Sequence, residues 1–368
     1  MTSKNILILT NSIGGLHSFR KEVVKAICDV GFKVYISVPS DDTESEYFRQ
    51  IGCEIILTEF NRRGVNPLAD FMQMMVYRKL IRKIKPAAVL TYTIKPNIYG
   101  GMAARLCRVP QLANVTGLGD AVENGGWMQK LTVTLYKMGL GKAHRIFFQN
   151  ESNRNFGIRM GIADDSSILL PGSGVNLQHH TYQKYPADDG QIRFLYIGRL
   201  LKDKGAEEYF EAAESIKSKY PQTEFQIVGT VEGDYQKQLD ELVAAGTVRF
   251  LGPQADVRPF IGAVECTIMP SYHEGMSNVN LESAANGRPV ITTNVPGCRE
   301  TVDDGKTGFL IEAKSVKSLV DAIERFVALP YGQKLMMGQE GRRKAENEFD
   351  RQIVVDAYMK ELNSISHV

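Results

Sequence analysis

Two carboxylates, Glu274 and Glu282, stand eight residues apart in the stretch Pro270-Ser271-Tyr272-His273-Glu274-Gly275-Met276-Ser277-Asn278-Val279-Asn280-Leu281-Glu282. The apolar run Val264-Glu265-Cys266-Thr267-Ile268-Met269 ahead of them reads as a buried strand. The polar residues that follow read as a loop entering a helix, with Ser277 or Asn278 placed to cap its first turn. A helix N-terminus then opens at a strand's carboxyl end, where free backbone N–H groups and the helix dipole favour an anion. Gly275 lets such a group approach the main chain. Glu274 in the loop and Glu282 about two turns inside the helix can address one bound molecule from two directions. Taken alone, the same residues describe an ordinary capped helix with a solvated carboxylate at each end.

Further residues of the same chemical kind lie at other strand ends. Gly198-Arg199 and Lys204-Gly205 follow the strand pattern Ile192 to Ile197, and a planar guanidinium beside a mobile ammonium suits a diphosphate. Gly14-Gly15 follows the first strand and predicts a tight turn with N–H groups pointing inward, with His17 and Arg20 one helical turn apart beside it as a second phosphate-holding pair. This is not GxGxxG, and Val38-Pro39-Ser40 ends the second strand where a dinucleotide site needs an acid, which disfavours a dehydrogenase. Thr93-Ile94-Lys95-Pro96-Asn97 and Asn114 to Asp120 follow two more strands, so these loops should share one edge of a sheet and line one cleft.

The elements that must position these loops alternate strand and helix through both halves, which predicts parallel sheets covered on both faces. The N-terminal strands are expected at Ile6 to Thr10, Lys33 to Val38, Glu54 to Leu57, Ala87 to Tyr92, Gln111 to Val115 and Arg145 to Phe148. A length of 368 residues suits two domains, expected as 1–175 and 176–348 with a last helix over 349–368. The polar stretch Gln178 to Gly190 reads as the linker. A net charge of +2 conceals an asymmetry: residues 1–175 carry 22 Lys and Arg against 14 Asp and Glu, and the remainder 22 against 28. The basic half should face an anion. No nucleic-acid module is recognisable, whereas an anionic membrane surface or a phosphorylated lipid suits it. Helix 68–84 and the stretch Trp127 to Arg145 are basic and amphipathic; the first reads more readily as a core-packing helix with solvated lysines, the second equally as that or as a membrane-surface helix. Five scattered cysteines indicate neither a zinc site nor a disulfide framework. No leader or bilayer-spanning stretch is expected, and a reduced cytosolic setting is.

In this order and spacing, Gly198-Arg199 with Lys204-Gly205, Glu274 and Glu282, Gly297 to Glu300, and Gly305-Lys306-Thr307-Gly308 resemble the family 4 retaining glycosyltransferases. The resemblance implies an α/β GT-B fold of two facing Rossmann-like domains with a cleft between them. It also implies a last helix crossing back to the N-terminal domain. Carried over by position, it gives Arg199, Lys204 and Glu274 catalytic roles: the two cations on the donor diphosphate, Glu274 on the donor sugar. It places Glu282 on the ribose and Gly15, Gly198, Gly275, Met276, Ser277 and Asn278 among the donor contacts. Tyr92 to Gly100, Gly117-Leu118-Gly119, Asn150 to Asn153 and Pro270 to Gly275 look like the bacterial enzymes that add the second sugar to an undecaprenyl-diphosphate-linked sugar. By that likeness the donor is a UDP-sugar carrying an N-acetylhexosamine or deoxy-N-acetylhexosamine, the acceptor is a lipid-linked sugar at the cytoplasmic membrane face, and no cofactor or metal is needed. No Asp-x-Asp follows a strand to hold a divalent cation. His17, Arg20, Lys95 and Asn97 are expected to hold the acceptor. Many family members place a histidine in the N-terminal domain, and the Asn114 to Asp120 loop here has none. Asp120 or that loop's main chain is the expected substitute. A UDP-sugar epimerase of the same fold and a non-catalytic nucleotide-sugar sensor are the competing classes; the first lacks this motif set and the second would have lost one of Arg199, Lys204, Glu274 or Glu282.

Overall fold

The computed structural model describes residues 4–58, 67–117 and 126–366. The chain divides into two compact units, residues 1–173 with 351–368, and residues 174–350. In the first, strands β1 (Asn5–Leu9), β2 (Lys33–Val38), β3 (Glu54–Leu57), β4 (Ala88–Tyr92), β5 (Gln111–Val115), β6 (Arg145–Phe148) and β7 (Ile168–Leu169) form one parallel sheet in the order β3-β2-β1-β4-β5-β6-β7. Every residue of β4 and β5 is buried, as a sheet covered on both faces requires. Helices α1 (Ile13–Asp29), α2 (Ser45–Gln50), α3 (Pro67–Ile84), α4 (Gly101–Cys107), α5 (Gly126–Leu140) and α6 (Glu151–Arg159) connect the strands, and a turn of π-helix, Pro96–Gly100, leads into α4. The six expected strands form within one residue of their expected bounds; β7 escapes a sequence pattern because only two of its residues pair.

The second unit repeats the plan with β8 (Ile192–Ile197), β9 (Thr223–Val228), β10 (Val248–Phe250), β11 (Cys266–Met269), β12 (Val290–Thr293) and β13 (Gly308–Ile311), all parallel, in the order β10-β9-β8-β11-β12-β13. Its helices are α7 (Ala206–Lys219), α8 (Gln236–Ala244), α9 (Arg258–Gly262), α10 (Asn278–Ala285), α11 (Val316–Ala328) and α12 (Tyr331–Glu348). Phe194, Phe225 and Phe326 meet at the centre of the core, with ring centroids 5.1 and 5.9 Å from that of Phe194.

A last helix, α13 (Arg351–Ser366), belongs to the first unit. Val354, Val355, Tyr358 and Leu362 enter its core, while Ile353 is exposed. Tyr358 stacks on Phe147 with centroids 4.4 Å apart and accepts a hydrogen bond from Asn114 Nδ2 at 2.9 Å. Ion pairs of Arg351 with Glu22 (3.0 Å) and Arg145 with Glu361 (2.9 Å) fix its two ends.

The stretch from Gln178 to Gly190, expected as a linker, is instead pinned inside the second unit. Arg288 is fully buried, and its guanidinium donates six hydrogen bonds, all to backbone carbonyls: Ile261, Gln183, Asn286, Gly287, Lys184 and Gly262, at 2.7 to 3.2 Å. Tyr185 packs under it, 5.4 Å from ring centre to guanidinium carbon, and donates to Glu265 O. A polar, aperiodic sequence hides this because the carbonyls that hold it belong to no residue type. Arg288→Met should strand several buried acceptors, each worth about 1–3 kcal/mol. The expected result is a urea midpoint lowered by at least about 3 kcal/mol of stability; an unchanged midpoint would reject the pinning role.

Candidate functional site

Strand order reverses between β8 and β11, so the connections leaving their carboxyl ends diverge and open a crevice there. Arg199 and Lys204 follow β8, and Glu274 follows β11. Lys204 Nζ lies 2.7 Å from Glu274 Oε1, with both side chains about four-fifths buried. Glu274 Oε1 also accepts from Ser271 Oγ at 2.9 Å. The two loops are joined by a main-chain bond from Tyr272 N to Asp203 O (2.9 Å), and Tyr196 OH donates to Arg199 O at 2.9 Å. Glycines permit the close fit. Gly205, at φ +70°, would place a Cβ 2.3 Å from Pro270 O, and Gly297, at φ +82°, would place one 2.3 Å from Glu274 O.

Helix α10 starts where expected, with Ser277 as its cap: Ser277 Oγ accepts from Asn280 N. Ser277 N donates to Gly297 O at 2.7 Å, and Gly297 N to Glu300 Oε2 at 2.7 Å, so the Gly297 to Glu300 motif holds the entry to this helix. The Met276 side chain belongs to a core cluster with Leu281 and Phe349, which leaves only its backbone for a ligand. Asn278 Oδ1 is buried and has no hydrogen-bond partner. Glu282 sits in α10, 4.0 Å from His180 Nε2, and His180 Nδ1 is paired with Asn286 Nδ2 at 3.1 Å. Gly198, at φ +157°, donates its N–H to Val228 O. Arg199 extends outward and pairs with exposed Glu232 at 3.2 Å. Such a pair contributes little, about 0–1 kcal/mol, so the guanidinium is held only loosely by its partner. The second unit therefore assembles two cations, a carboxylate and a helix N-terminus around one crevice.

The residues singled out in the first unit gather less closely. Gly14 and Gly15 lie within the first turn of α1 rather than in a free turn, and Gly15 N donates to the Ser12 cap at 3.0 Å. His17 meets Tyr47 and Phe48 edge-on, with centroids 5.1 and 6.1 Å away. Burial, and then Lys21, hold its pKa below the usual value, so it is a weak cation at neutral pH. Lys95 forms an ion pair with Asp70 at 2.9 Å, and Tyr99 OH donates to the other oxygen of the same carboxylate. Asn97 is buried, accepting from Thr91 Oγ1 and donating to Asn114 O. Arg20 is buried beside Tyr92. Gly119 and Asp120 lie outside the described residues. Sequence reasoning missed Ser271, Tyr196, Glu232 and His180 as neighbours of the site. Only Ser271, three residues before Glu274, carried a local signal.

Two outcomes are expected. Gly297→Ala should destabilise more than Gly246→Ala, because both have φ near +80° or +70° but only Gly297 faces backbone within 4 Å. Denaturant unfolding should separate them by on the order of 1–3 kcal/mol; equal losses would show that no close packing against Glu274 exists. His17, with its folded pKa below the unfolded 6.5, costs stability as pH falls: the unfolded chain takes up the proton first, so stability declines below about pH 6.5. His17→Phe should flatten that decline in melting curves, and an unchanged profile would contradict it.

Two family models match the chain: "Glycosyl transferase 4-like" over residues 6–150 and "Glycosyl transferases group 1" over residues 179–344. A relative from Campylobacter jejuni, N,N'-diacetylbacillosaminyl-diphospho-undecaprenol alpha-1,3-N-acetylgalactosaminyltransferase, is 25% identical over 96% of each chain. The capsular polysaccharide biosynthesis glycosyltransferase CapM of Staphylococcus aureus is 27% identical over 80% of each. Among solved structures, Anabaena Alr3699/HepE in complex with UDP superposes with a TM-score of 0.80 at 15% identity, covering 98% of this chain and 99% of that one, a likeness of fold. Matched in both halves, and over more than half of its length by the two models together, the chain belongs to the glycosyltransferases and has the GT-B fold of two Rossmann-like domains.

Proposed function

We propose that the protein is a retaining glycosyltransferase of bacterial cell-surface polysaccharide synthesis. It transfers an N-acetylhexosamine or deoxy-N-acetylhexosamine from a UDP-sugar to an undecaprenyl-diphosphate-linked sugar, without a metal ion. The observation that carries this reading is the Lys204–Glu274 pair at the β8/β11 reversal, beside the N-terminus of α10. The acceptor and the sugar class are supported by the name of the Campylobacter relative, and the place in polysaccharide synthesis by that of the Staphylococcus one.

In this mechanism the donor's diphosphate lies against Arg199, Lys204 and the N-terminus of α10. As the bond from the anomeric carbon to the diphosphate breaks, negative charge grows on the leaving oxygen, and these fixed positive groups stabilise it without reorganising. The acceptor hydroxyl attacks from the same face, forming the new glycosidic bond, and its proton passes to the departing diphosphate oxygen. Glu274, steadied by Ser271 and Lys204, orients the donor sugar. Glu282 accepts from the ribose hydroxyls, with His180 behind it.

A membrane-facing role for the first unit rests on its surface. Helix α4 packs against both α3 and α5. Across these three helices Leu68, Phe71, Met72, Leu106, Trp127 and Met138 are exposed, Leu68 by 70% and Trp127 by 72%. The same helices carry seven Lys and Arg against one acid, Asp70, which is buried and paired with Lys95. Apolar side chains among lysines and arginines suit an anionic bilayer surface. Among the described residues no helix is long and apolar enough to cross a membrane.

Calorimetric titration with UDP, GDP and ADP tests the donor site. UDP should bind best, and Arg199→Ala and Glu282→Ala should each weaken it by about 1–3 kcal/mol. Binding indifferent to both substitutions would overturn the assignment. Sedimentation with phosphatidylglycerol vesicles should retain the protein, phosphatidylcholine vesicles should not, and Trp127→Ser with Phe71→Ser should lower retention several-fold; equal behaviour with both lipids would reject the membrane face.

A further inference from the structure

Among the described residues, a buried cation at the reversal point of the first sheet has no ion-paired acid. Arg20, on α1, is 2% exposed. Its Nη1 donates to Phe19 O at 2.7 Å, while Nε and Nη2 are buried and have no hydrogen-bond partner. Glu22, on the same helix, pairs with Arg351 at 3.0 Å, and Asp70 of α3 pairs with Lys95 at 2.9 Å. Leaving a guanidinium's donors unpaired in a low-dielectric interior is among the most unfavourable arrangements a fold can hold.

A second observation falls at the same place. The Arg20 guanidinium carbon lies 6.0 Å from the ring centre of Tyr92, the last residue of β4. The next residue, Thr93, has φ +72°, and its Oγ1 is also buried without a partner. A β-branched residue in the left-handed region costs on the order of 1–3 kcal/mol and persists where the surroundings impose it. Those surroundings are rigid: Tyr92 stacks on Tyr358 with centroids 6.3 Å apart, and Asn114 holds the Tyr358 hydroxyl. Strand order in this sheet reverses between β1 and β4, so α1 and Thr93 flank the crevice that the reversal opens. Thr93 is half-buried and Ile94 after it is exposed, which sets this pair at the rim of the sheet edge.

We infer that Arg20 and Thr93 form an oxyanion subsite for a diphosphate group. Nε and Nη2 present the two parallel donors that two phosphate oxygens accept, and the Thr93 hydroxyl supplies a third from the side. Placing a transferase substrate there rests on the proposed function, under which two molecules carry this chemistry: the lipid-linked acceptor and the nucleotide-sugar.

The test uses Thr93→Gly, which tolerates the left-handed backbone and removes the hydroxyl together with Cβ and the methyl group, with Arg20→Lys, which keeps the charge and loses the fork. Folding is checked by melting curves and UDP titration. Initial rates are measured with a short polyprenyl-diphosphate-linked sugar and with its monophosphate analogue. The expected result is an acceptor KM raised about tenfold in each variant, about 1.4 kcal/mol, with a smaller change for the monophosphate and the UDP affinity unmoved. A loss of UDP-sugar affinity instead, with acceptor KM constant, upholds the subsite and assigns it to the donor. Variants that melt like the wild type and change neither quantity overturn it, leaving ordered water as the partner of Arg20. Should the protein bind UDP yet transfer to no lipid-linked sugar, the functional reading fails separately. Inorganic pyrophosphate is then titrated into the Arg199→Ala, Lys204→Ala protein: a melting-temperature rise that Thr93→Gly abolishes upholds the subsite, and no rise overturns it.

Discussion

Parallel strands all end at one edge, and the strand order of each sheet reverses once, at β1/β4 and at β8/β11. The connections on either side of a reversal must diverge, so each unit has one place where loops leave room for a ligand instead of packing on one another. The chemistry-bearing residues collect at these two places. Arg199, Lys204 and Glu274 leave β8 and β11, and Arg20 and Thr93 flank β1 and β4. Side chains supply the charges, and topology supplies the vacancy they surround.

The two reversals are finished differently. In the second unit the cations have carboxylate partners, Lys204 with Glu274 and Arg199 with Glu232. That arrangement keeps partly buried charges neutralised until an anion replaces or extends the pairing. In the first unit the charge of Arg20 is held without a counterpart among the described residues, beside a well-packed wall of Tyr92, Tyr358 and Phe147. The returning helix α13 therefore contributes to more than cohesion. Tyr358 comes from its middle, so the last residues of the chain shape the ground on which the first helix places its guanidinium.

Some buried polar groups elsewhere in the described residues are fully satisfied. Arg288 shows it most fully, with its donors on six carbonyls and Tyr185 beneath it. Other buried atoms are left without a partner, Tyr77 OH, Tyr136 OH and Asn278 Oδ1 among them; those of Arg20 differ in belonging to a cation that lies beside Tyr92, next to Thr93, at a strand-order reversal. Cys28 and Cys53 give a lesser case: scattered in sequence, their sulfurs come within 3.6 Å, and the shared contact lowers the Cys28 pKa while raising that of Cys53.

Much of this was legible in the sequence, for definite physical reasons. Continuous Val, Ile and Leu runs separated by helical periods predict parallel strands buried on both faces, because no other element tolerates apolar residues on successive positions at that length. Ser277 announces a helix start, since few other residues serve that end. What the sequence could not decide is which distant residues meet. The linker expectation failed at Gln178 to Gly190 because Arg288 lies a hundred residues away and recognises carbonyls, which carry no residue identity. Lys95 and Asn97 have the right types for phosphate, but Asp70 and Thr91 already engage them. Arg20 was expected with His17 as a phosphate-holding pair beside the first strand, and its burial was not visible in the sequence. Only the folding of β4 and α13 around it removed water and turned it into a charge that needs a partner. Residue type and local spacing determined the elements and the inventory of reactive groups; tertiary packing alone decided which of those groups remained unpaired.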